Sequence, residues 1–121
     1  MNRAFLIGIF IAVCSGCATK TVVERTPGIA TLPPQAGLVC ILPSDGGILN
    51  EIPNTPIGLV KLRKRGDVPG DILDLLANEV RRNGGNLATI GKLNDARGHG
   101  YAYFVDPALK FNCQAAGGMV R

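Results

Sequence analysis

The chain holds little of what most active sites are made from. Of its 121 residues only one is a histidine, His99, and none is a tryptophan. With no second ligand pair near that histidine, no metal ligands are expected. No Ser/His/Asp or Cys/His constellation is present, so no catalytic residue, no cofactor-binding residue and no cofactor is expected. Four Phe and two Tyr are all the aromatic residues, and no recognised module accompanies them, which argues against nucleic acid as a partner. The apolar run near the start, Ala4–Val13, is ten residues long. A membrane-crossing helix needs about 20. Glycine pairs do occur, at Gly84-Gly85 and in Gly98-x-Gly100, but neither sits between a strand and a helix with the spacing of a phosphate loop.

The start of the chain reads as an export signal. Arg3 is the positive element, Ala4–Val13 the apolar core, and Ser15-Gly16 the small residues that precede Cys17. The stretch Val13-Cys14-Ser15-Gly16-Cys17 resembles the lipobox of bacterial lipoproteins, with Cys14 where leucine is usual. The resemblance implies cleavage after Gly16 and acylation of Cys17, which anchors the chain in a membrane; two or more acyl chains hold stably where one does not. Ala18, rather than aspartate, follows the cysteine. In lipoproteins of this kind that implies the outer membrane, facing the periplasm.

Cleavage removes Cys14 and lipid consumes Cys17, leaving Cys40 and Cys113 near the two ends of the remaining chain. An oxidising compartment makes a disulfide between them the expectation, with two separately buried thiols as the alternative. Residues 17–36 carry Pro27, Gly28, Pro33 and Pro34 and no sustained period, so they read as a lipidated start and flexible tether, with a short edge strand over Thr21–Glu24 as the alternative. Residues 114–121, with Ala-Ala-Gly-Gly, read as a loose C-terminal tail. That leaves 37–113 as one small domain.

Its centre is the stretch Asp67–Asn86. Ile72, Leu75, Leu76 and Val80 recur at helical spacing and share one face. Asp67 is the expected N-cap, Asp71 and Asp74 suit the positive end of the helix dipole, Arg81 and Arg82 suit the negative end, and Gly84-Gly85 stops the helix. Four strands are expected around it: Gly37–Pro43, Ile57–Arg65, Asn86–Leu93 and Tyr101–Val105. Asn94–Gly100 is read as a polar turn, with Asp95, Arg97 and His99 at its tip. Leu109–Cys113 is left as a continuation of the last strand or a separate edge piece. The expected fold is a small α+β domain in the order β-β-α-β-β, with one helix packed on one face of a sheet and one disulfide.

Cys40 on an early strand, Ile57-Gly58-Leu59-Val60, the helix end Asn83-Gly84-Gly85-Asn86, Tyr101-Ala102-Tyr103 and the late Cys113 resemble a group of small bacterial lipoproteins of unassigned function. That group is similar in fold to the outer-membrane lipoprotein that senses envelope stress for the Rcs phosphorelay. The resemblance spans residues 36–113 and the lipidated start. It implies a sheet-plus-helix domain held by a disulfide, lipidation at Cys17, and no transferable signalling residues, because that sensor carries two disulfides where this domain can form one.

Charge remains. The chain carries 13 Lys and Arg against 9 Asp and Glu, a formal net charge of +4. Lys61, Arg63, Lys64 and Arg65 cluster, with Arg81-Arg82 as candidates to join them. Anionic lipid headgroups or an acidic partner would suit such a cluster. The reading adopted from sequence is a solvated strand face. The expected function is a lipid-anchored binding, interaction or sensing module of the cell envelope, in contact with the membrane through Cys17 and with an envelope protein partner. The alternative is a periplasm-facing enzyme whose site would gather Asp95, Arg97 and His99.

Overall fold

The computed structural model describes residues 19–44, 47–64, 71–94 and 96–121. Among these the elements are β1 (Thr19–Arg25), β2 (Cys40–Leu42), β3 (Thr55–Lys64), α1 (Ile72–Arg82), β4 (Leu87–Leu93), β5 (Arg97–Phe104) and β6 (Met119–Val120), with single 3-10 turns at Ile48–Asn50 and Pro107–Leu109. The strands form one mixed sheet in the order β1-β3-β5-β4-β2-β6. Only the β2–β4 pairing is parallel. The α+β class, the helix on the sheet and the Cys40–Cys113 disulfide are as expected, but the sheet has a strand added at each edge.

β1 is the first addition: it bears out the edge strand that was the alternative over Thr21–Glu24 and replaces the tether reading over Thr19–Arg25. Thr19 to Arg25 pair antiparallel with Lys64 to Gly58. Val23 packs on the core while Val22 stays exposed, the period-two pattern of a half-buried edge strand. The irregular residues that follow are also bound. Thr26 donates its amide to Ile57 at 2.9 Å, Gln35 donates its amide to Arg81 at 3.0 Å, and the Gln35 side-chain amide donates to Gly85 at 2.6 Å. Proline and glycine there forbid regular structure without forbidding contact.

β6 is the second addition, and it corrects the loose C-terminal tail. Val120 and Met119 pair with Cys40 and Ile41, and Val39 and Arg121 exchange both backbone hydrogen bonds at 2.9 Å. The Arg121 guanidinium lies 3.1 Å from Asp74 and 3.7 Å from Asp71, while Arg81 donates to the Arg121 main-chain oxygen at 2.9 Å. Leu109–Cys113 is neither a continuation of β5 nor a strand; a 3-10 turn and irregular chain occupy it.

The helix starts later than its sequence pattern implies. Asp71, not Asp67, is the N-cap: its carboxylate accepts the Asp74 amide at 2.8 Å, and the Asp74 carboxylate accepts the Asp71 amide at 3.4 Å, a reciprocal capping box. Asp67 lies outside the described residues. The stop falls where expected. Gly84 takes φ 85°, its amide donates to Arg81 at 3.0 Å and the Gly85 amide donates to Val80 at 2.8 Å, the two bonds of a Schellman ending.

Two apolar clusters sit on opposite faces of the sheet. Ile72, Leu76, Ala77 and Val80 of α1 cover Ile41, Ile57, Val60, Leu62, Ala88 and Ala102. On the other face, Cys40, Leu42, Leu87 and Val105 are covered by Ile48, Leu49, Ile52, Phe111 and Cys113. The disulfide ties that second cover to β2, with a Cα–Cα distance of 5.7 Å. Gly118 passes close over it: a Cβ there would lie 2.6 Å from Cys113 Sγ and 2.8 Å from Cys40 Sγ.

Candidate functional site

The second cluster covers only part of the face opposite the helix. It occupies the end where Leu87 pairs with Tyr103 and Cys40 with Leu87. At the other end of the same face the register stacks side chains in rows. Arg63 pairs with Arg97, Lys61 with His99, His99 with Lys92, and Leu59 with Tyr101. These residues alternate along β3 and β5 with Val60, Leu62 and Ala102, which belong to the helix-side core, and with Gly100, which underlies Leu76. They therefore share the face turned away from α1. Lys61, Arg63, Lys92 and Arg97 are exposed, and His99 is half-buried.

The row is a cationic strip. Glu24 is the sole carboxylate in the six described strands, and it lies 2.7 Å from Lys61 Nζ. Across from it stand Lys61, Arg63, Lys92 and Arg97. The His99 ring meets Tyr101 edge-on, with centroids 6.1 Å apart, and lies over Gly91, where the β4–β5 register shifts by a residue.

Sequence reasoning identified Lys61, Arg63 and Lys64 as cationic and missed which residues join them. Arg65 lies outside the described residues. Arg81 and Arg82 do not join: they project from the helix, where Arg82 pairs with Glu79 at 2.8 Å and Arg81 donates to Asn78 at 2.7 Å. Lys92 and Arg97 join instead. The signal for Arg97 was present, because Arg97, His99, Tyr101 and Tyr103 recur with period two, but glycines at 98 and 100 gave the stretch the look of a turn. It is the first half of β5, so His99 and Arg97 are strand residues and not a hairpin tip. Asp95 lies outside the described residues.

At the opposite end of the sheet is an apolar concavity of about 280 Å³ beside the disulfide, lined among others by Leu38, Leu87, Val105, Phe111 and Val120. Of its lining, Leu38 and Val120 are exposed, Leu38 by 71%. Asn86 closes its floor. Its side chain accepts the Val105 amide at 2.9 Å and donates to the Val105 carbonyl at 2.7 Å, copying a strand pair with one side chain.

Among the described residues no three His, Cys, Asp or Glu side chains are grouped to hold a metal ion, and no helix is long and apolar enough to cross a membrane. The Asp71 carboxyl is held below its ordinary value, first by the Asp74 amide it accepts and then by the charge of Arg121. Cys17, the expected lipid site, lies outside the described residues; Cys40 and Cys113 are bonded as expected. No family model matches the chain, and no curated protein or solved structure matches it either.

Proposed function

We propose that the chain is a lipid-anchored, periplasm-facing binding module of the bacterial cell envelope, acylated at Cys17 and acting by contact rather than catalysis. The observation that carries this reading is how close the first described strand lies, along the chain, to the expected lipid site. β1 opens at Thr19, two residues after the expected lipid site, in a domain closed by a disulfide of the kind exported chains form. Two residues reach at most about 7 Å. On this reading the domain is mounted close to the bilayer rather than hung from a long tether.

Such a mounting also gives the molecule a direction. β3 spans ten residues from Lys64, opposite Thr19, to Thr55. At about 3.3 Å per residue that is roughly 30 Å of strand. The apolar concavity at the far end is what the anchored domain would present to an envelope protein partner.

Intact mass of protein extracted from membranes, with and without reduction, tests the reading. The expected result is residues 17–121 plus acyl groups, gaining two hydrogens on reduction. Unprocessed or unacylated chain would remove it.

A further inference from the structure

We infer that the cationic strip on the open half of the sheet lies against anionic phospholipid headgroups and sets the tilt of the domain on the bilayer. The inference deepens the anchor reading, on which it rests in one respect, the closeness of Thr19 to the membrane.

The row nearest the chain's entry into the sheet is Thr19 with Lys64; the next is Lys20, Arg63 and Arg97; two residues further, about 7 Å, come Lys61, His99 and Lys92. The end of the sheet joined to the lipid site is therefore its cationic end. With Thr19 held within about 7 Å of Cys17 and the next row about 3 Å further on, Arg63 and Arg97 lie no more than about 10 Å along the strands from the lipid site, comparable with the roughly 8 Å over which an anionic surface is felt at physiological salt.

Charge complementarity points the same way. The strip's cations face outward and meet one carboxylate among the described strands, Glu24, which contacts Lys61 alone. Lys and Arg on a flat, laterally extended surface suit a plane of phosphates better than a small bound anion, which needs a concave cradle. A single acyl chain holds only marginally, and basic residues beside it are a second attachment. The exposed apolar residues Leu38 and Val120 line the concavity at the other end of the sheet, away from this contact.

The test uses full-length protein prepared from membranes and reconstituted into vesicles of phosphatidylcholine alone or of phosphatidylcholine and phosphatidylglycerol in equal parts. A water-soluble amine reagent is applied and modified lysines are located by mass spectrometry. Lys61 and Lys92 should react several-fold more slowly on the anionic vesicles, whereas Lys110, beside the disulfide, should react equally on both. In the variant Arg63→Gln/Arg97→Gln, membrane contact should weaken by roughly 25-fold, about fivefold per charge, and the difference should vanish. Equal labelling of Lys61 and Lys92 on both vesicles would overturn the inference. So would protection that appears only on adding polyglutamate, which would give the face to an acidic protein. Intact mass of the same sample reports acylation separately. Unacylated chain added to the vesicles gives the same comparison, so loss of the anchor and loss of the headgroup contact are distinguished.

Discussion

Arg121 Nε lies 3.1 Å from Asp74 Oδ1, so the last residue of the chain holds the first turn of its one described α-helix. The same residue closes the sheet through Val39 and receives Arg81 on its main-chain oxygen. The C-terminal residues thus join β2, β6 and both ends of α1.

Arg121→Ala should lower stability by about 1 kcal/mol, since it removes part-exposed ion pairs at Asp71 and Asp74 and leaves the backbone bonds to Val39. A chain ending at Gly118 should lose more, because β6 and its pairing to β2 go with it. Urea unfolding of the two variants beside the parent checks the order; equal losses would reduce the contribution of β6 to the guanidinium alone.

Asp71→Ala should cost about 1 kcal/mol through loss of the cap. The pH dependence follows from the direction of the Asp71 shift. Its folded value lies below the ordinary 3.8, held there first by the Asp74 amide and then by Arg121. The folded form therefore prefers the charged group. That contribution is fully present above the unfolded value and is lost as pH falls through the folded one. Urea midpoints measured from neutral pH down past the carboxylate range should fall less steeply for Asp71→Asn than for the parent.

Reducing Cys40–Cys113, 73 positions apart, should cost roughly 4 kcal/mol in the loop-entropy account. Local effects should appear first around Phe111 and Ile48, which cover Val105 and Leu87 on the face that the bond ties to β2. Hydrogen exchange with and without reductant reads this; protection lost first under α1 instead would contradict it.

Gly84→Ala and Gly117→Ala make a matched pair. Both glycines sit near φ 85°, at 85° and 84°. A Cβ at Gly117 meets nothing within 4 Å, whereas at Gly84 it would lie 2.5 Å from the Leu32 Cβ and 2.8 Å from the Pro33 oxygen. Gly117→Ala should cost about 1 kcal/mol, the left-handed penalty alone. Gly84→Ala should cost clearly more if residues 32–33 are docked on the helix end. Denaturant titration of both variants gives the difference, and equal costs would return 26–36 to a loose connection.

Much was legible before any coordinates. The helix is marked by Ile72, Leu76 and Val80 and ended by Gly84, because a 3.6-residue period and a left-handed stop are local properties. β3 and β4 are marked by apolar runs, and the Cys40–Cys113 bond was an expectation that the structure bears out. Less legible was anything that depends on which segments lie side by side. Asp71 displaces Asp67 as the cap because Asp74, three residues on, completes a reciprocal pair. Arg97 and His99 read as turn residues because their glycine neighbours hide a period-two pattern that only the opposing Arg63 and Lys61 make visible.

By itself, then, the sequence determined the elements whose signals are contained within a dozen neighbouring residues: the described helix, its stop and the inner strands. The tertiary structure decided the rest. It placed β1 and β6 at the edges, because strands of marginal propensity form only where an open row of amides and carbonyls awaits them. It gathered Lys61, Arg63, Lys92 and Arg97 from three strands into one strip. Register is a relation between distant segments, and no window along a single chain contains it.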